Sequence, residues 1–167
     1  MRYLVTGVTM AAAIALAGCA KKAPEELPPP PAAPAPAPTP APTGPQPGTQ
    51  AHFSQAMMGQ DVIYFDTDKY DIDAEDQAAL RQQAQYLLQY PSANATVAGH
   101  ADERGTRDYN LALGERRATA AKNYLVSLGV PSTRLSTISY GKERPVATGS
   151  NPQAWAKNRR AVTVVVN

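Results

Sequence analysis

The spacing of hydrophobic and polar positions changes along the chain, and each change marks a new element. Residues 61–65 (DVIYF) form a short run of aliphatic and aromatic side chains, which predicts a strand. Apolar residues then recur at intervals of three and four, the spacing of one helical face: Leu80, Ala84, Leu87 and Leu88. We expect Asp73 to cap the start of this helix and Pro91 to end it, because proline disfavours helical backbone in the residue before it.

The second half of the chain repeats this alternation. Residues 95–99 (ATVAG) predict a second strand. We expect Asp108 to begin a second helix and Gly129 to end it. The apolar stripe of that helix consists of Leu111, Ala118, Ala121, Leu125 and Leu128. Three further elements, namely a strand, a short helix and a last strand, are predicted at residues 135–140, 152–157 and 161–166.

The order β-α-β-α-β-(α)-β predicts an α+β fold of two layers, with the helices packed on one face of a mixed four-stranded sheet. The last strand ends in three consecutive valines, residues 164–166, so we expect it to be central or well covered. The sequence holds no internal repeat, which fits one sheet and one core.

The first residues have the pattern of an export signal. Arg2 supplies a positive charge, and residues 4–16 are an apolar stretch too short to span a bilayer comfortably. Small residues follow, and then the only cysteine of the chain, Cys19. This arrangement resembles a bacterial lipobox, so we interpret residues 1–18 as a lipoprotein signal peptide and Cys19 as the acylated mature N-terminus. The alternative is an ordinary secretory signal with an incidental cysteine.

A proline-rich segment separates this leader from the rest of the chain. Residues 24–50 contain 12 of the 16 prolines and have almost no apolar bulk to bury. We predict that residues 19–50 are a lipidated N-terminus and disordered tether, and that residues 51–167 are the single folded domain. In polyproline II conformation residues 24–50 would reach on the order of 80 Å. A ligand for a proline-recognition domain is the competing interpretation.

Composition and charge exclude several classes of protein. The formal net charge of +2 is too small to indicate bulk nucleic-acid binding. One cysteine excludes an intramolecular disulfide framework and a thiolate metal cluster. The charges are unevenly placed, because residues 61–76 hold seven acids and one lysine while residues 77–167 hold five acids and twelve lysines and arginines. Most of these belong to solvated surface, but opposed patches also suit a partner or a zwitterionic ligand.

The candidate chemistry lies in residues 99–118, where a strand ends in a polar loop and a helix begins. Asp102 offers a carboxylate, and Arg117 offers a planar donor fork that suits another carboxylate. Together they could hold a ligand that carries an ammonium and a carboxylate. Two alternatives stay open, because Asp102 could cap the loop and Arg117 could pair with an acid along its helix. Arg159 and Arg160 are interpreted as solvated residues at the start of a strand, with ligand contact as the alternative.

The segments GHADERGT (residues 99–106) and YNLALGERRA (109–118) closely resemble the peptidoglycan-binding motif of the outer membrane protein A C-terminal family. Residues 62–72 (VIYFDTDKYDI), 139–145 (SYGKERP) and 157–162 (KNRRAV) fit the same family. The resemblance covers about residues 61–167. It implies a sandwich like that of the family and a role in peptidoglycan binding, without catalysis.

The resemblance also implies roles for particular residues. Asp102 should pair with the ammonium of diaminopimelate in the peptidoglycan stem peptide, and Arg117 with its carboxylate. Weaker candidates for lining the same groove are Phe65, Asp68, His100, Asn110 and Leu113. The implied partners are peptidoglycan, the outer membrane through the lipid on Cys19, and the Tol system, notably the periplasmic protein TolB. No other cofactor, no metal and no nucleic acid is expected.

A hydrolase is the main alternative class. The sequence has no G-x-S-x-G elbow and no H-E-x-x-H pair, and His52 and His100 are its only histidines. We therefore expect a non-catalytic protein that links the outer membrane to the cell wall, with its domain facing the periplasm.

Overall fold

The structure of the chain, a computed structural model, describes residues 44–166. The predicted signal peptide, the predicted lipidation site Cys19 and most of the predicted tether lie outside the described residues. The elements in chain order are α1 (Gln50–Met57), β1 (Val62–Tyr64), α2 (Ala74–Gln89), β2 (Asn94–His100), α3 (Arg107–Ser127), a 3-10 turn (Ser132–Arg134), β3 (Leu135–Gly141), α4 (Pro152–Asn158) and β4 (Arg160–Val166).

The four strands form one mixed sheet in the order β1-β4-β2-β3. β2 and β3 run parallel, while β4 runs antiparallel to both β1 and β2. The predicted α+β class and the mixed four-stranded sheet are confirmed. The valine-rich β4 is central, as predicted, because it pairs on both sides. Within residues 44–166, none of the helices combines the length and the apolar character needed to cross a membrane.

The core lies between one face of the sheet and the helices. Alternate strand residues point into it, as a period of two requires: Ile63, Ala95, Val97, Ala161 and Val165. The helices contribute their apolar stripes, including Leu80, Leu87, Ala118, Ala121 and Leu125. Leu88 was expected on the stripe of α2 but is 46% exposed, and Tyr86 is buried in its place. One step of about 100° around the helix takes Leu88 beyond the edge of the buried face.

Local hydrogen bonds fix the helix ends. Asp73 caps α2 as predicted, with its Oδ1 accepting from the backbone N–H of Asp76 at 2.9 Å. Arg134 ties down the end of α2, because its guanidinium donates to the carbonyls of Leu87 in the last turn, of the C-cap Tyr90 and of Ala93 in the turn that follows. The predicted start of α3 was one residue late, because Thr106 is the N-cap.

Helix α1 was not predicted, and the fold therefore begins earlier than residue 51. The side chain of Thr49 caps the helix, and Phe53 and Met57 are buried in the core. Gln50 accepts a hydrogen bond from the backbone N–H of Val165 at 2.6 Å, and the N–H of Gly48 donates to the Tyr86 hydroxyl at 3.2 Å. Two apolar anchors in eight residues are too few to produce a recognisable stripe.

Helix α3 approaches strand β2 closely at two glycines. A Cβ atom on Gly99 would lie 1.8 Å from the carbonyl oxygen of Gly114, and a Cβ on Gly114 would lie 2.3 Å from the hydroxyl of Ser139. Both contacts are far below van der Waals distance, so neither position accepts a side chain without a shift of backbone or neighbours. The close approach brings the N-terminal half of α3 against the end of β2.

We expect Gly99→Ala to lower the free energy of unfolding by about 1–3 kcal/mol, the usual cost of adding volume to a packed site. The matched control is Gly44→Ala, where no heavy atom lies within 4 Å of the added Cβ. Urea unfolding of residues 44–167, followed by circular dichroism, measures both variants. Equal stability of the two variants would contradict the close packing of α3 on β2.

Candidate functional site

A polar cleft of about 260 Å³ opens where β2 ends. Its walls are the loop after β2, the first half of α3, the loop after β1 and the residue before β4. Five of the seven ligand candidates from the sequence line it: Asp68, Asp102, Asn110, Leu113 and Arg117. The sequence interpretation did not include the other residues that line it: Thr67, Arg104, Gly105, Tyr109 and Arg159.

Asp102 is buried in the wall of the cleft, and its carboxylate is held by two arginines. Arg104, in the same loop, donates three hydrogen bonds to the carboxylate. Its backbone N–H and its Nε each lie 3.0 Å from Oδ1, and its Nη2 lies 2.7 Å from Oδ2. Arg159 Nη1 lies 3.4 Å from Oδ2. Burial alone would raise the pKa of Asp102, but the hydrogen bonds from Arg104 outweigh it and hold the pKa below its usual value. Asp102 is therefore ionised at neutral pH.

Arg117 is the largest fully buried side chain among residues 44–166, with 0% exposure. Its guanidinium donates to three backbone carbonyls: Nε to Lys69 at 2.9 Å, Nη1 to His100 at 2.8 Å and Nη2 to Asp66 at 3.0 Å. Neither an acid along the helix nor solvent is its partner. A guanidinium has five N–H groups, so one on each terminal nitrogen remains beyond these three bonds.

Burial and, next, the nearby Arg159 lower the pKa of Arg117 to about 10, while Asp102 and Asp68 act in the opposite direction. The side chain is still cationic at neutral pH. Its charge is therefore held inside the protein by carbonyl dipoles and by the two carboxylates of the same cleft.

The interpretation of Arg159 and Arg160 as solvated residues was wrong. The side chain of Arg159 is only 14% exposed, and its Nε donates to the carbonyl of Phe65 at 2.8 Å while Nη1 reaches Asp102. Arg160 is buried on the other face of the sheet. Adjacent residues at the start of a strand point to opposite faces of the sheet. The sequence alone did not show that an arginine would be buried on each face.

Asn110 and Asp68 shape the rim of the cleft. The side-chain amide of Asn110 is buried and donates to the carbonyl of Arg104 at 2.7 Å, which fixes the loop that carries Asp102. Asp68 adopts left-handed backbone with φ 56°, and its carboxylate accepts from the Tyr109 hydroxyl at 3.2 Å. Asp68 is exposed, so it adds a second negative charge at the mouth of the cleft.

Two of the weaker candidates do not line the cleft. Phe65 is buried, with the guanidinium of Arg117 5.2 Å from its ring centre, and it lines a separate groove of about 480 Å³ that shares Arg159 with the cleft. His100 offers only its carbonyl to Arg117, since its ring lies on the opposite face of the sheet, beside Tyr140. A register shift between Gly99 and His100 interrupts the ladder at this point.

The arrangement places cations and anions within one small, half-enclosed space. Arg117 and Arg159 can hold a carboxylate, and Asp102 with Asp68 can hold an ammonium. Among residues 44–166, no group of three or more histidine, cysteine, aspartate or glutamate side chains is placed to hold a metal ion. The chemistry that the cleft offers is recognition of a ligand bearing both charges.

Comparison with known proteins gives consistent results. The OmpA family matches residues 64–159, a span that contains every residue lining the cleft. The peptidoglycan-associated lipoprotein of Rhizobium meliloti (strain 1021) is 50% identical over 158 residues, covering 95% of this chain and 85% of that protein.

Solved structures agree with the fold. The peptidoglycan-associated lipoprotein from Burkholderia pseudomallei is similar with a TM-score of 0.65 and 42% identity, over 68% of this chain and 96% of that chain. The C-terminal domain of Helicobacter pylori MotB is similar with a TM-score of 0.59 over 64% of this chain and 84% of that chain. At 21% identity, the second likeness concerns the fold alone.

We expect Arg117→Ala to lower the free energy of unfolding by about 2–4 kcal/mol. The substitution removes the partner of three backbone carbonyls, of which that of His100 is buried, and each unsatisfied buried group costs on the order of 1–3 kcal/mol before water enters the vacated space. Arg116→Ala is the matched control, because Arg116 is exposed on the same helix and should stay within about 0.5 kcal/mol of the parent. Urea unfolding measures both, and a fully stable Arg117→Ala variant would show that the carbonyls do not depend on the guanidinium.

Proposed function

The chain belongs to the OmpA family, and from that premise we propose that it binds peptidoglycan noncovalently through the cleft between Asp102 and Arg117. One observation carries the proposal, namely that a buried arginine and a buried, ionised aspartate meet in a single cleft large enough for one end of an amino acid. The most similar chains described above are named for association with peptidoglycan. The proposed role is binding, and the comparisons with this family support no catalytic function.

The ligand group that fits best is the zwitterionic end of diaminopimelate in the stem peptide. Its ammonium would lie against Asp102, with Asp68 at the rim. Its carboxylate would take the remaining N–H groups of Arg117 and share Arg159. Charged groups that are desolvated together in this way give binding its specificity, because a ligand lacking either charge leaves one partner buried and unpaired.

Arg104 is the group that must yield to the ligand. Arg104 occupies both oxygens of Asp102, and an incoming ammonium competes for the same oxygens. Its guanidinium also lies 4.3 Å from the ring centre of Trp155, and its side chain is 41% exposed, so solvent is open to it when it leaves Asp102. Arg104 thus neutralises Asp102 and must give up these contacts when the ammonium binds.

The N-terminal part of the chain gives the proposal its cellular setting. We propose that Cys19 carries the lipid anchor, that the proline-rich segment acts as a spacer, and that the domain reaches the cell wall from the outer membrane. Several acyl chains on one cysteine would hold the protein stably, since one chain alone binds only marginally. Partnership with TolB and other Tol proteins, and a role in envelope integrity and cell division, belong to the same proposal.

Asp102→Asn should weaken binding of meso-diaminopimelate and of purified cell-wall sacculi by at least roughly 30-fold. The substitution keeps the shape of the side chain and removes its charge, and losing one partner of a desolvated pair costs ~2–5 kcal/mol, at 1.4 kcal/mol per tenfold. Calorimetry with free diaminopimelate and a sacculus pull-down measure the loss, and circular dichroism checks the fold.

Arg116→Ala is the control and should bind as the parent does. Asp102→Asn is preferred to Arg117→Ala as the decisive variant, because the latter is expected to damage the fold as well. If a folded Asp102→Asn protein bound diaminopimelate with the parent affinity, the ligand would lie elsewhere.

Cys19→Ala should abolish acylation and release the protein from the membrane, since Cys19 is the only cysteine of the chain. Labelling of cells with palmitate, followed by membrane fractionation, tests this. Labelled, membrane-bound protein in the variant would contradict the anchor, whatever the outcome for the cleft.

A further inference from the structure

The helices cover one face of the sheet, and strand register arranges the side chains of the other face in rows. The middle row is entirely apolar and crosses all four strands: Val62, Val162, Ala98 and Ile138. On one side of it lies a row of mixed character, with Val164, Thr96 and Ser136, in which the last two hydroxyls are 2.7 Å apart. The rows form the floor of a shallow groove of about 620 Å³.

This apolar row is partly open to solvent. Ile138 is 39% exposed, and Val146, which borders the groove from the loop after β3, is 63% exposed. Single exposed aliphatic residues need no explanation, but a contiguous apolar row on a sheet face commonly marks an interaction site. A flat row with period-two spacing suits an extended chain, whose alternate side chains also point to one side.

The other side of the apolar row is cationic and aromatic. The guanidinium of Arg144 lies 3.8 Å from the ring centre of Tyr140, and Arg144 is exposed. Arg160 is buried in the floor, where it donates to the carbonyls of Asn158 and Arg144. No acidic side chain is among the described residues that line this groove. The groove therefore has uncompensated positive charge at one end of an apolar surface.

His100 adds an unused polar atom at the same end. Its ring is 4% exposed and lines the groove, and its Nδ1 has no hydrogen-bond partner among the described residues. Burial, with Arg160 and Arg144 nearby, lowers its pKa to about 4, so the ring is neutral at neutral pH. A buried nitrogen without a partner is uncommon in folded proteins and points to a group that completes the site.

We propose that this uncovered sheet face docks an extended segment of a partner protein, with aliphatic side chains on the apolar row and a carboxylate side chain beside Arg144 and Arg160. Charge complementarity selects this occupant. A second copy of the chain would bring a further pair of arginines to a surface without acids. Binding to an anionic membrane surface typically uses clusters of about four to eight basic residues. This face has two arginines, and one of them is buried.

The docking face and the cleft lie on different sides of the sheet. The carbonyl of His100 faces Arg117 on the cleft side, while its ring faces the groove. The partner segment and a ligand in the cleft would therefore occupy separate surfaces. The inference does not depend on the ligand of the cleft, and saturating meso-diaminopimelate should leave the docking of the partner segment in place.

A random ten-residue peptide display library, selected on the full chain purified in detergent, tests the proposal. We expect enrichment of peptides that combine aliphatic residues with aspartate or glutamate. A synthetic peptide from the enriched set should bind Ile138→Glu and Arg144→Glu at least tenfold more weakly than the parent. Arg144→Glu should in addition select peptides that carry lysine or arginine.

Val126→Glu and Arg116→Glu are the matched controls, because they place the same changes at exposed positions of α3 and should bind as the parent does. Thermal unfolding of all four variants excludes loss of fold as the cause. Failure of the library to enrich acidic peptides, or equal binding to parent and groove variants, would overturn the proposal. So would a groove-dependent change in sedimentation that shows self-association, or groove-dependent binding to phosphatidylglycerol vesicles.

Discussion

The buried guanidinium of Arg117 is the constraint on which the rest of the site depends. A cation with no exposed surface must find acceptors for its N–H groups, because an unsatisfied buried charge would cost more than most single interactions supply. Arg117 finds three carbonyls, two in the loop after β1 and one at the end of β2. These bonds hold the two segments together from within, and the cleft is the space that the segments enclose.

Arg117 can reach those carbonyls only because α3 lies unusually close to the sheet. Gly114 and Arg117 are three residues apart and so share one face of the helix. Gly114 meets Gly99 with room for no side chain on either, and His100, whose carbonyl accepts from Arg117, follows Gly99 directly. The residues of the motif that point to ligand recognition are thus also packing residues. A substitution at one of these residues therefore affects both stability and ligand recognition, whereas a substitution at a surface site can affect recognition alone.

The parts of the structure that follow from local pattern were predictable, and those that depend on tertiary contacts were not. The amphipathic stripes predicted α2 and α3, and the valine-rich strand was placed correctly in the sheet. Helix α1 was not predicted, because its only two buried residues, Phe53 and Met57, do not form a recognisable apolar stripe. Asp102 and Arg117 were identified by their motif, but the role of Arg159 was missed because its partner Asp102 is 57 positions away in sequence.

The position of His100 shows why a motif residue need not belong to the site that its motif builds. Strand alternation and the register shift at the end of β2 send its ring to the uncovered face, while its carbonyl stays on the cleft side. The carbonyl and the ring are joined only through the Cα atom of His100, so rotation about the Cα–C bond can move the carbonyl away from Arg117 while the ring stays beside Tyr140. One residue therefore contributes to both surfaces through different groups, its carbonyl to the cleft and its ring to the groove, and the two surfaces can be occupied independently.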